Sequence, residues 1–296
     1  MRPHVFYRTV KVDGLSIFYR EAGPKDAPAV LLLHGLPSSS RMFEPLFSRL
    51  ADRYRLIAPD YPGFGHSDWP AAVQFAYTFD HIAEVMNQFV EAIPLPRYTL
   101  FMSDYGGPVG FRMALSHPER VSAVIVQNAV AHNEGLGAIW KARRAFWADR
   151  AANEQTLRTN LLSLEAARAR HAGNDPNVDR HDPDLWTDEF YFLNQPGQGE
   201  IQSDLFYDYR TNVDAYPKWQ AWMRETQPRL LVIWGKYELS FDSGEPERYR
   251  KDVPNAEIHV VDGGHFALDT AADEIAELVR DFVDFSRGGL GERRAG

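Results

Sequence analysis

Short apolar runs punctuate the first half of this chain, and each is followed by a stretch whose apolar positions fall three and four residues apart. Runs at 15–21, 29–33, 55–59, 98–102 and 121–126 predict strands. The patterns at 40–51, 79–92 and 108–117 predict helices with one apolar face. Strand and helix alternate, which is the pattern of a mostly parallel central sheet flanked by crossover helices. From 132 to 228 the pattern changes to Trp-, Arg- and Ala-rich helical stretches broken by Pro and Gly, and nothing there reads as a strand. This predicts a helical lid inserted after the strand at 121–126. Strands resume at 229–234 and 256–261, a last helix is expected at 273–285, and 287–296 reads as a frayed tail. The expected division is a core of 1–131 and 229–286, a lid of 132–228, and the tail.

Composition narrows the partners. A chain of 296 residues can bury a substantial core as one large α/β domain with an insertion. The formal net charge of −9, without a long Lys/Arg run, argues against nucleic acid or an anionic membrane surface and is compatible with a small neutral organic substrate. There is no cysteine, hence no disulfide, thiol chemistry or zinc-thiolate site. Residues 1–11 lack an apolar leader core, and no stretch reaches the roughly 18 apolar residues of a membrane span, so a cytoplasmic protein is expected. The sequence leaves a homodimer open.

The run at 98–102 leads through Ser103-Asp104-Tyr105-Gly106-Gly107 into a helical stretch. A strand-turn-helix elbow of this kind holds a nucleophile on a strained turn, needs small residues just after it, and leaves its side chain above the sheet. Asp104 fits, because its second and third successors are Gly106 and Gly107; a Ser103 register would put Tyr105 where the backbone must pass closely. A carboxylate is anionic at neutral pH and attacks saturated carbon without a base to activate it. The plain alternative is an aspartate capping a helix.

In such a sheet reactive groups gather at the carboxyl ends of the strands. After 29–33 stands His34-Gly35-Leu36-Pro37, after 98–102 Asp104, after 229–234 Glu238, and after 256–261 His265. The order nucleophile, acid, histidine is that of α/β-hydrolases. With Asp60-Tyr61-Pro62-Gly63-Phe64-Gly65-His66-Ser67, Trp234-Gly235-Lys236-Tyr237-Glu238 and Gly263-Gly264-His265-Phe266, the chain resembles the α/β-hydrolase superfamily over nearly its whole length. The branch it resembles is the aspartate-nucleophile one of epoxide hydrolases and haloalkane or haloacid dehalogenases.

On this reading His265 deprotonates the water that releases an ester from Asp104, and Glu238 orients the imidazole. Family members more often carry Asp at that position, and Asp242 is the fallback. The resemblance implies an oxyanion hole of the Leu36 and Tyr105 amides, and neither cofactor nor metal. His34 and the stretch 60–67 read as architectural. An epoxide oxygen leaves as an alkoxide and needs an acidic O–H, whereas halide needs only N–H donors. Tyr209 resembles one of the two lid tyrosines of epoxide hydrolases, with Tyr207 its competitor. No tyrosine lies between Gly106 and Glu189 to serve as the other, and that stretch offers Trp140 and Trp147, whose indoles suit halide. Dehalogenases, however, usually carry Trp after the nucleophile, where this chain has Tyr105. Epoxide hydrolysis is therefore the first expectation and carbon–halogen hydrolysis the second. A catalytically silent ligand-binding protein, or ester hydrolysis with Asp104 as a base, stays open.

Overall fold

The computed structural model describes residues 4–291. Its strands are β1 (Phe6–Val12), β2 (Leu15–Ala22), β3 (Ala29–Leu33), β4 (Arg55–Pro59), β5 (Tyr98–Ser103), β6 (Val121–Gln127), β7 (Leu230–Gly235) and β8 (Glu257–Val261). They form one sheet in the order β1-β2-β4-β3-β5-β6-β7-β8. Strand β2 runs antiparallel to β1 and β4, and from β4 to β8 every pairing is parallel.

The continuous apolar runs follow from burial on both faces. Alternate side chains divide between two cores: Leu31, Leu33, Leu100, Met102, Val124 and Val126 enter one, and Val30, Leu32, Phe101, Ala123 and Ile125 the other. Helices α2 (Phe79–Ala92), α3 (Gly106–Ser116) and α10 (Glu245–Asp252) close the first core through Phe89, Val109 and Tyr249. Helices α1 (Glu44–Leu50) and α11 (Leu268–Gly291) close the second through Leu46, Leu50, Ile275 and Val279.

Between β6 and β7 the described chain is helical: α4 (Trp140–Ala148), α5 (Arg150–Leu161), α6 (Leu164–Ala172), α7 (Pro183–Leu193), α8 (Gln198–Asp208) and α9 (Arg210–Thr226). This segment meets the sheet half by packing and polar ties. Trp219 stacks on Phe111 with ring centroids 5.0 Å apart, the Asp208 carboxylate accepts from the Phe79 amide at 2.8 Å, and Gln198 Nε2 donates to the Gly63 carbonyl at 2.9 Å.

The sequence pattern missed β1, whose Phe6 and Tyr7 are exposed; its seven residues are held by registered pairing with β2, from Phe6 opposite Glu21 to Val12 opposite Leu15. It also missed α10, in which charged residues dominate and Tyr249 is the large buried side chain. The last helix is longer than expected. It starts at Leu268, departs from helical geometry at Ala271 (φ −120°, ψ 24°) and reaches Gly291, so residues 287–291 of the expected tail are helical; 292–296 lie outside the described residues.

Candidate active site

Asp104 follows the last residue of β5 at φ +48°, in the left-handed region, and α3 begins two residues later. Such a φ is strained for a side-chain-bearing residue and is kept only where the surroundings impose it. Here they do. A Cβ on Gly106 would lie 2.1 Å from the Leu33 carbonyl oxygen, and one on Gly35 2.4 Å from the Asp104 Cβ, so the elbow and the loop after β3 can approach each other only with glycine at both positions.

That approach aims backbone donors at the carboxylate. The Leu36 amide donates to Asp104 Oδ1 at 2.8 Å, and the Tyr105 amide also stabilises the anion. His34 holds the Leu36 loop: it donates from Nδ1 to the Gly35 carbonyl at 3.0 Å, accepts the Tyr61 amide at Nε2 at 3.2 Å, and stacks on the Tyr61 ring. Its complete burial pushes its pKa down, in keeping with a neutral ring that donates on one side and accepts on the other.

His265 lies between two carboxylates. Its Nε2 is 3.3 Å from Asp104 Oδ2, and its Nδ1 is 2.7 Å from Glu238 Oε2. Burial would push the imidazole pKa down, but Glu238 and Asp104 override it and raise it to about 10. Burial would likewise raise Asp104, yet the hydrogen bond and charge of His265, with the Leu36 and Tyr105 amides, hold it below the ordinary carboxylate range. The two carboxylates thus favour the imidazolium form of His265 in the free site. Asp242 does not compete for His265, because its carboxylate accepts from Arg248 at 2.8 Å and from the Gly244 amide at 3.0 Å.

A family-wide sequence profile described as the alpha/beta hydrolase fold matches residues 28–272. This chain belongs to the α/β-hydrolase family. The chain is 34% identical over 278 residues to an uncharacterized hydrolase of Saccharomyces cerevisiae, covering 93% of this chain and 95% of that one. It is 38% identical over 282 residues to a haloalkane dehalogenase of Psychrobacter cryohalolentis, covering 91% and 88%. The solved structure of the epoxide hydrolase CorEH superposes with a TM-score of 0.78 at 17% identity, covering 95% and 99%, which is a likeness of fold. The protein is a hydrolase of the dehalogenase-like branch.

Around this hydrolase's elbow lies an aromatic wall. Tyr209 is buried, packs against Tyr105, Phe79, Trp140 and Trp147, and has its hydroxyl 3.5 Å from that of Tyr216. The Tyr105 hydroxyl is buried without a hydrogen-bond partner among the described residues. Burial, the Tyr216 hydroxyl and the Asp104 charge hold Tyr209 well above the ordinary tyrosine pKa, and burial and Asp104 do the same to Tyr105. Tyr207 instead sits under Arg210, whose guanidinium is 3.8 Å from its ring centroid, and beside Phe146. Both indoles that suited halide are engaged: Trp140 Nε1 donates to the Ser240 carbonyl and Trp147 Nε1 to the Phe206 carbonyl, each at 2.7 Å.

Sequence reasoning missed Asn128, the residue just after β6, at φ +46°. Its Oδ1 accepts the Gly235 amide at 2.8 Å, and its Nδ2 donates to the Gly264 carbonyl at 3.0 Å and to Glu238 Oε2. One amide thus joins the loop bearing the acid to the loop bearing the histidine. Applying to the run at 121–126 the test applied to the other strand ends would have found it. Glu238 Oε1 accepts the Ser240 and Phe241 amides, which fixes its longer side chain.

Proposed function

We propose that this hydrolase opens epoxides to diols through an alkyl ester on Asp104, beneath a lid formed by the helical segment. One observation carries the reading: a carboxylate on a strained elbow has one oxygen on a backbone amide and the other 3.3 Å from an imidazole that a second carboxylate orients.

In the first step an Asp104 oxygen bonds to an epoxide carbon and the ring C–O bond breaks, its electron pair passing to oxygen. The resulting alkoxide takes a proton from a tyrosine hydroxyl. Tyr209 supplies it, and the unpartnered Tyr105 hydroxyl fills the place of the missing second lid tyrosine. Esterification removes the Asp104 charge, one of the two that hold the proton on His265. His265 then releases that proton, which restores the tyrosine, and becomes a base. In the second step His265 takes a proton from water, hydroxide adds to the ester carbonyl, and the Leu36 and Tyr105 amides hold the oxyanion. Collapse breaks the bond to the alkyl oxygen, which takes the proton of the newly formed Asp104 carboxyl group and leaves as the diol; Asp104 is regained as the carboxylate and His265 as the imidazolium, the tyrosine having been restored in the first step.

Carbon–halogen hydrolysis is the second reading, favoured by the resemblance to the Psychrobacter cryohalolentis enzyme. It ranks lower because the Trp140 and Trp147 indole N–H groups already donate to carbonyls. A single turnover of a terminal epoxide in oxygen-18 water tests the proposal. The label is expected in the Asp104 carboxylate and absent from the first diol released; label in that first diol contradicts an ester intermediate.

A further inference from the structure

A cavity of about 530 Å³ lies within the helical segment, and its walls hold two arginines and no acidic residue among the described residues that line it. Arg143, on α4, has its guanidinium 4.1 Å from the Trp140 ring centroid and 5.5 Å from that of Phe206. Arg170, on α6, donates from Nη2 to the Leu161 carbonyl at 2.7 Å, while its Nη1 is buried without a hydrogen-bond partner among the described residues. Among the described residues neither arginine has a carboxylate within ion-pair distance, although most arginines of this chain do. The carboxylates that act on them, Asp104 and Glu238 on Arg143 and Glu189 and Asp104 on Arg170, do so from beyond contact, and a desolvated guanidinium that touches no anion is costly unless a bound one supplies the contact.

The remaining walls specify what the anion is attached to. Phe146, Leu157 and Leu161 make the cavity mainly apolar, with Asn153 and Asn160 as neutral polar points. The cavity also adjoins the catalytic loops. Ser240 lines it, and the Ser240 amide donates to Glu238; Trp140, under Arg143, packs against Tyr209 at 4.5 Å and Phe241 at 5.7 Å, and Phe241 packs against His265 at 5.7 Å. The charges of both arginines act on Asp104 and Tyr105.

We infer that this cavity binds the carboxylate end of an amphiphilic organic acid, Arg143 and Arg170 gripping the carboxylate while the apolar chain lies along Phe146, Leu157 and Leu161. Resting on the epoxide reading above, this makes the substrate an epoxide-bearing carboxylic acid rather than the neutral molecule that the net charge suggested. Guanidinium suits the task, since its planar donor set matches a carboxylate.

The test compares a chain-length series of terminal-epoxy carboxylates with their amides. The wild type is expected to prefer the carboxylate by about 10- to 100-fold in kcat/KM at an optimal chain length, the range for a hydrogen-bonded charge. The preference should collapse toward unity in Arg170→Gln and Arg143→Gln and return in part in Arg170→Lys. Absence of a preference in the wild type, or its survival in both glutamine variants, overturns the inference. Calorimetry with octanoate and octanamide decides separately from turnover. Octanoate binding that is lost in Arg170→Gln supports the site even if no epoxide reacts, and no octanoate binding to the wild type overturns it even if neutral epoxides are opened.

Discussion

Two places in this molecule set nearly the same side chains on different backbones. At the ends of β5, β7 and β8, His265 lies between Asp104 and Glu238; where the helical segment meets α11, His171 lies between Asp269 at 2.7 Å and Glu189 at 2.9 Å. Both imidazoles are buried, and their carboxylates, outweighing burial, raise both pKa values to about 10. The difference is in the backbone. Asp104 stands on a left-handed elbow with the Leu36 amide on one oxygen, whereas Asp269 and Glu189 belong to the helices α11 and α7. An imidazole between carboxylates is therefore not in itself a catalytic group. On the proposed function the elbow and its amide donors make one, and without them the same trio ties α6 and α7 to α11.

The largest expected effect separates the two trios outright. Asp104→Asn should lower epoxide turnover by about 10⁴-fold or more, as loss of a covalent nucleophile does, with little change in melting temperature. His171→Gln should do the reverse. It leaves two buried carboxylates without a cation, a loss of about 3–5 kcal/mol, which a thermal melt reads at about 2–4 °C per kcal/mol, while ester formation on Asp104 persists. The pH dependence has a definite sign. A histidine raised from 6.5 to about 10 on folding contributes stability that is fully present below pH 6.5 and is lost as the pH rises through about 10. Melts of His171→Gln between these limits should show a shallower alkaline decline than the wild type; an unchanged slope would mean that His171 carries no charge in the folded protein.

A smaller effect is expected at Asn128. Asn128→Ala leaves Asp104 untouched but releases the Glu238 and Gly264 ties, and turnover should fall about 10- to 100-fold through misplacement of the imidazole. The kcat–pH profile should shift as well, which a purely structural asparagine would not cause. The smallest effect is at Trp147. Its indole N–H already donates to Phe206, so Trp147→Phe should change alkyl halide reactivity less than threefold, roughly the range of an uncommitted contact. A large loss confined to halides would favour the dehalogenase reading.

The two regions also differ in how much of them could be read in advance. Asp104 and Glu238 follow apolar runs buried throughout, and His265 follows the shorter, partly exposed edge strand β8, so pattern and strand-end position located them. Asn128 obeyed the same rule and was passed over. In the helical segment position depends on tertiary contact. Arg143 and Arg144 are neighbours of identical type, yet one is buried over Trp140 and the other donates to Asn133 in an exposed bond. Helical periodicity alone does not separate two such arginines, nor does it reveal that the Trp140 and Trp147 indoles find carbonyl partners.

The measurement that bears most directly on the central claim is the intact mass of His265→Gln after exposure to a terminal epoxide, read beside the double variant that also carries Asp104→Asn. Disabling the base should trap the ester, adding the full mass of the epoxide, oxygen included, with a peptide map placing it on Asp104 and no adduct in the double variant. An adduct that persists in the double variant, or a peptide map that leaves Asp104 unmodified in His265→Gln while the wild type turns the same epoxide over, would contradict nucleophilic displacement by the elbow carboxylate.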